Sequence, residues 1–303
     1  MRFEFWFTAV TMALVAVFAL WLCFPSEGFL RARRENFSKR TQAFLDPAFT
    51  AAIDRDTRLL RRCAAALFVV NLPLAFAADH YQLVLGAPVL TGNFALIAPA
   101  LAGFAAIRLR AAGREFAVPG RRSAVARPRK VVLTDYVSTV LQVATWVGVG
   151  ADVLMAAVIG VAWSHGQAGA KEAMFGLGEA VAIVSMAAYA AWFGRALCER
   201  PTPAVDASHL YLQDAWRASS LGWACGLVAL SASFAFQSLE LAANVSWLDS
   251  AVQALLPVLI VMVLPIALIQ WRWFRRRRLW PTLLPGQVLL PGQPVPPRVG
   301  AAA

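Results

Sequence analysis

Histidine, cysteine and charge are all scarce in this chain, and each shortage removes a class of function. The three histidines, His80, His165 and His209, form no HExxH or HxxxH pair of the kind that holds a catalytic zinc. The four cysteines, Cys23, Cys63, Cys198 and Cys225, include no CxxC, so neither a thiolate metal site nor a disulfide framework is indicated. They read as small apolar residues. Nucleophile-elbow and Walker-type glycine loops are absent as well, and the last apolar run has no lysine for a Schiff base. Charged residues make up only 15% of the chain, against roughly 25% in soluble domains. No metal and no cofactor is expected, and no residue stands out as catalytic.

What the chain has instead is apolar length. It is 59% hydrophobic over 303 residues, with a mean hydropathy of +0.60. A membrane helix needs about 20 apolar residues, and seven runs qualify: 5–24, 63–85, 89–107, 137–163, 173–194, 219–241 and 251–271. The turn between the second and third falls at Gly86-Ala87-Pro88 or at Thr91-Gly92-Asn93. Trp6, Tyr81, Trp163 and Trp247 would line one interface, and Trp21, Trp192, Trp216, Trp271 and Trp273 the other.

The basic residues orient these spans. Of 28 Lys and Arg, only Arg2 and Lys171 fall on one side, leaving 26 on the other. Cytoplasmic loops carry such an excess, so the N-terminus is expected outside and the C-terminus inside. The net charge of +11 then reflects attraction to anionic lipids at the cytoplasmic face; nucleic acid is not an expected partner, whereas a protein partner or a homo-oligomer is compatible with the pattern. The first run is longer than the ~7–15 residues of a signal-peptide core, and its cleavage would leave nine basic residues outside, so it is expected to remain as an anchor.

The fold class is therefore an all-α polytopic membrane protein of seven transmembrane helices, organised as one helix (1–24), a basic cytoplasmic segment with an interfacial helix (25–62), a hairpin (63–107), a basic cytoplasmic loop (108–136), a second hairpin (137–194), a cytoplasmic loop (195–218), a third hairpin (219–271) and a basic, then Pro-rich tail expected to be disordered (272–303). Asp46-Pro47 gives the interfacial helix an N-cap and a first-turn proline, Phe49 and Ile53 share its apolar stripe, and Asp54 and Arg58 are an i, i+4 pair.

A longer period runs through the hairpins. Asp56, Asp135 and Asp214 are 79 residues apart, as are Pro99, Gly178 and Pro257. Three tandem hairpins related by rotation about the membrane normal would produce this. Each aspartate precedes a span at its cytoplasmic end, so helix capping is the expected local role.

Two carboxylates lie inside spans, where an ionisable group marks a pathway by default. Asp152 is near the middle of the fourth span, flanked by Gly148, Gly150 and Ala151, which would let another helix approach closely. Glu179 is the next deepest, in the fifth. Together they suggest a proton or cation step. On the opposite side Asp79, His80 and His165 are weaker candidates, for a metal-dependent outer-facing hydrolase. The leading expectation is a non-enzymatic component of, or accessory to, a transport or export system in a bacterial-type cytoplasmic membrane; the alternatives are that hydrolase, or a sensor or scaffold recruiting cytoplasmic partners through the basic loops and Pro-rich tail. Seven spans do not imply a function by themselves.

Overall fold

A computed structural model describes residues 17, 20–21, 23–43, 45, 47–80, 89–113, 131–166, 169–200, 204 and 207–243. These residues are all-helical, with seven helices and no strand among them: α1 (Glu27–Thr41), α2 (Pro47–His80), α3 (Val89–Ala112), α4 (Leu133–Tyr136), α5 (Thr139–Ser164), α6 (Ala170–Glu199) and α7 (Ala207–Ala243). Most of the first expected span, all of the seventh and the Pro-rich tail lie outside the described residues.

Local chemistry explains several boundaries. Ser26 caps α1, its hydroxyl accepting from the Phe29 amide at 3.2 Å, and Ser138 caps α5 through the Leu141 amide, also at 3.2 Å. Proline at the first position of α2 supplies a preset φ where its missing N–H costs nothing. Because α3 begins at Val89, Thr91-Gly92-Asn93 sits inside a helix, and the alternative placement of the turn there is corrected. The expected interfacial helix is not separate either: α2 runs unbroken from Pro47 to His80, since nothing in its interior stops the ladder short of the apolar run.

α7 is the hub. It packs most extensively on α3, then on α5 and α6, and it also touches α4. Trp216 Nε1 donates to the Ala111 carbonyl at 3.1 Å near the start of α7 and the end of α3, so those two run antiparallel. Thr145 Oγ1 donates to the Cys225 carbonyl at 3.2 Å, and further along Gly148 faces Ala229 and Ala232, so α5 and α7 run parallel. α5 and α6 form an antiparallel hairpin closed by His165 and Gly166, whose φ of +71° suits glycine.

Two helical stretches, Thr139–Ser164 and Gly176–Glu199, are long and apolar enough to cross a membrane. Their outward faces carry Val140, Trp146, Leu154, Val161, Leu177 and Val181, all 50–67% exposed. Against water such a continuous stripe would be unfavourable by about 25 cal/mol per Å². Against hydrocarbon it is the expected surface.

One end of the bundle gathers α1, the start of α2, the end of α3, α4, the start of α5, the end of α6 and the start of α7. Its core is Tyr136, Leu141, Leu197, Leu221 and Leu109, continued by Phe49, Ile53, Tyr211 and Trp216. α4 packs against α6 at Gly194, where an added Cβ would come within 2.8 Å of Leu133 Cδ1 and make that side chain shift. α1 lies across this end, with Phe37 against Trp216 (centroids 5.8 Å) and Phe49 (6.2 Å). Trp216, 4% exposed, is thus a core residue and not part of an aromatic belt. The expected pair of Asp54 with Arg58 is replaced by contacts to α1: Asp54 pairs with Arg34 at 3.4 Å and Arg58 with Glu27 at 3.5 Å.

Candidate functional site

Burial along α5 follows one stripe: Leu141, Thr145, Gly148, Val149, Asp152, Met155 and Ile159. This is the helical spacing of a face turned inward. Asp152 stands thirteen residues from Thr139 and twelve from Ser164, the midpoint of the helix. It is 0% exposed, and neither carboxylate oxygen has a hydrogen-bond partner among the described residues. Val149, one turn before it on the stripe, packs in an apolar cluster with Ala105, Ile183, Ala187, Val228 and Ala232.

Gly148 is the glycine of this stretch that faces α7. A Cβ there would touch Ala232 Cβ at 3.5 Å and the Ala229 carbonyl at 3.6 Å, whereas Gly150 meets nothing within 4 Å and is exposed. The expectation that Gly150 also admits a neighbouring helix is corrected, because it points away from α7.

Glu179 belongs to the inward stripe of α6 with Ile183 and Ala187 and is 8% exposed. Counting from the closed end of the hairpin, Asp152 is about 18 Å deep and Glu179 about 14 Å at 1.5 Å per residue. The structure places both acids inside the bundle at unequal depth without joining them by a hydrogen bond. An apolar groove of about 560 Å³ between α5 and α6, lined by Val153, Ala157, Gly160, Leu177, Val181 and Val184, opens elsewhere and includes neither acid.

The weaker candidates divide. His165 is exposed and ends α5, its backbone N–H donating to the Val161 carbonyl at 3.1 Å. Asp79 and His80 are the last residues of α2, and their side chains lie outside the described residues. Among the described residues no three His, Cys, Asp or Glu side chains gather as a metal site would require.

A second polar concentration was only half visible in the sequence. Asp56, Asp135 and Asp214 are all buried, at 2%, 5% and 0% exposure. Asp135 does cap, accepting the Val132 amide at 2.9 Å. Asp56 and Asp214 do not, because α2 and α7 begin well before them. Asp214 instead accepts from the hydroxyl of Tyr136, the residue after Asp135, at 2.7 Å, which ties α4 to α7. Tyr211 donates to the Thr41 carbonyl at 2.8 Å, His209 meets the Phe49 ring edge-on at 6.3 Å, and Arg217 is 2% exposed. Residues 208–218, expected in a cytoplasmic loop, are helix and buried throughout. Hydropathy hides them because their buried face is polar; the period in aspartate was the only signal.

On the same end a cavity of about 290 Å³ lies between α2 and α3, lined by Asp56, Leu59, Leu60, Cys63, Ile107, Arg110 and Ala111. Arg61 is clamped by aromatics, 4.6 Å from the Trp21 ring and 4.4 Å from the Phe29 ring, and donates to the Trp21 carbonyl at 3.0 Å. That fixes the chain between the first apolar run and α2.

No protein-family model, no curated protein and no solved structure matches this chain. Its chemistry has to be argued from its own residues.

Proposed function

We propose that this chain is a multi-pass protein of a bacterial-type cytoplasmic membrane, with seven spans, an outside N-terminus and an inside C-terminus, that serves or assists a transport or export system without catalysing a chemical reaction of its own. The observation that carries this is Asp152: a carboxylate at 0% exposure, halfway along a helix long enough to cross a membrane, with no hydrogen-bond partner among the described residues. An ionisable group at the bilayer centre costs a few kcal/mol on insertion scales. A side chain that only packs would be better apolar. In this reading Asp152 takes up and releases a proton or cation, and Glu179, nearer the closed end of the α5–α6 hairpin, is a second station.

The orientation is supported by the bundle's asymmetry. Arg31, Arg34, Lys39, Arg58, Arg108, Arg195 and Arg200 all belong to the end that carries α1 and the start of α7, away from the hairpin turn at Gly166. Lys and Arg so segregated are retained on the cytoplasmic side.

The test uses inverted membrane vesicles from cells carrying the wild-type chain, Asp152→Asn, Asp152→Glu or no chain, with the decay of an imposed pH gradient as the readout. The wild type should speed the decay, Asp152→Glu should retain part of it, and Asp152→Asn at equal abundance should match vesicles lacking the chain. Equal decay with wild type and Asp152→Asn would remove Asp152 from the pathway.

A further inference from the structure

The cavity of about 290 Å³ between α2 and α3 is built from two helical faces. Asp56, Leu59, Leu60 and Cys63 recur at i, i+3, i+4 and i+7 along α2, and Ile107 and Arg110 stand one turn apart on α3. Each set lies on one side of its helix. The start of α2 and the end of α3 share the basic end of the bundle, so Asp56 and Arg110 are nearest that end, and Cys63 and Ile107 lie further in. The walls are therefore sorted. Opposite charges stand at one end of the cavity and aliphatic side chains at the other.

The two charges differ in access, because Asp56 is 2% exposed while Arg110 is open to solvent. No ion pair joins them across the cavity. An ionised carboxylate has about four lone-pair positions, so Asp56 can accept from an ammonium group beside any partner it already has. A ligand that answers every wall carries an ammonium for Asp56, a carboxylate for the guanidinium fork of Arg110 and an aliphatic body for Leu59, Leu60 and Ile107. The volume is at the small end of the ~300–1,000 Å³ of ordinary ligand sites, which suits a molecule the size of an amino acid. We propose that this cavity binds a zwitterionic α-amino acid with an aliphatic side chain. A neutral apolar molecule would leave both charges unanswered, and a ligand of one sign would meet a like charge. The site is separate from Asp152 and does not depend on the proton or cation step proposed above.

Equilibrium binding of labelled L-leucine to the purified full chain in mild detergent tests it. Binding should be saturable, and unlabelled L-leucine should displace the label roughly tenfold more effectively than its methyl ester, which lacks the carboxylate, or isocaproate, which lacks the ammonium. Arg110→Gln should bind roughly tenfold more weakly and lose the preference for leucine over the methyl ester while keeping the preference over isocaproate. Asp56→Asn, where it folds, should show the reverse split. A general loosening of the bundle would erase both preferences together. Arg55→Gln, which alters an exposed arginine of α2 outside the cavity, should change nothing. Should Arg110→Gln fail to fold, the order of the three compounds on the wild type decides. Absence of saturable leucine binding by the folded wild type, equal displacement by all three compounds, or undiminished binding by folded Arg110→Gln overturns the site.

Discussion

Replacing Tyr136 by phenylalanine removes one oxygen from the most enclosed polar contact in the bundle. The phenol and the Asp214 carboxylate are 2.7 Å apart, and both residues are 0% exposed. A hydrogen bond to a charged group is worth about 1.5–3 kcal/mol, and leaving a buried acceptor short of a donor costs on the same scale. At roughly 2–4 °C per kcal/mol for chains of 150–250 residues, Tyr136→Phe should lower the melting midpoint by about 3–12 °C. The assay is intrinsic-fluorescence melting in a mild detergent. Tyr189→Phe is the control: Tyr189 is 44% exposed and stacks on Phe193, so losing its hydroxyl should change little. A double-mutant cycle with Asp214→Asn should show coupling, because that change removes the charge that strengthens the contact Tyr136→Phe deletes. A Tyr136→Phe melt indistinguishable from that of Tyr189→Phe, or strict additivity with Asp214→Asn, would refute the claim that this contact joins α4 to α7.

Two further outcomes follow from packing and capping. Gly148→Leu should destabilise the α5–α7 contact strongly while Gly150→Leu is tolerated, since only the first position has α7 atoms at 3.5–3.6 Å from an added Cβ; equal expression and melting of the two would contradict the described helix faces. Ser138→Ala should cost about 1 kcal/mol through loss of the α5 cap, and Ser138→Asp should restore most of it; both are read by the same melting assay.

How much of this was legible in the sequence depends on what each residue's neighbours supply. Val89 and Pro47 as helix starts, Phe49 and Ile53 as a buried stripe, and Asp152 and Glu179 as interior acids were all visible, because period, proline and hydropathy are local signals. α1 was not foreseen: its sequence is highly polar, and its inward stripe of Leu30, Phe37 and Thr41 has too few apolar positions to stand out among Arg31, Arg33, Arg34, Lys39 and Arg40. The early start of α7 was hidden for a related reason. His209, Gln213, Asp214 and Arg217 look like a solvated loop until Tyr136, Phe49 and Thr41 arrive from other helices to cover them. Asp135 takes a capping role on the short α4 while Ser138 caps the span that follows, and Asp56 and Asp214 lie inside helices that begin well before them, since helix length is set by tertiary packing that no local motif records.

The account stands on the chain crossing the membrane with the basic end of the bundle inside. Single cysteines at Ser164, beside the α5–α6 turn, and at Ser123, in the basic segment after α3, would be placed in a cysteine-free background and exposed in intact cells to a membrane-impermeant maleimide. Ser164→Cys should be labelled and Ser123→Cys should react only after the membrane is permeabilised. Labelling of Ser123→Cys from outside, or equal labelling of both before permeabilisation, would contradict it.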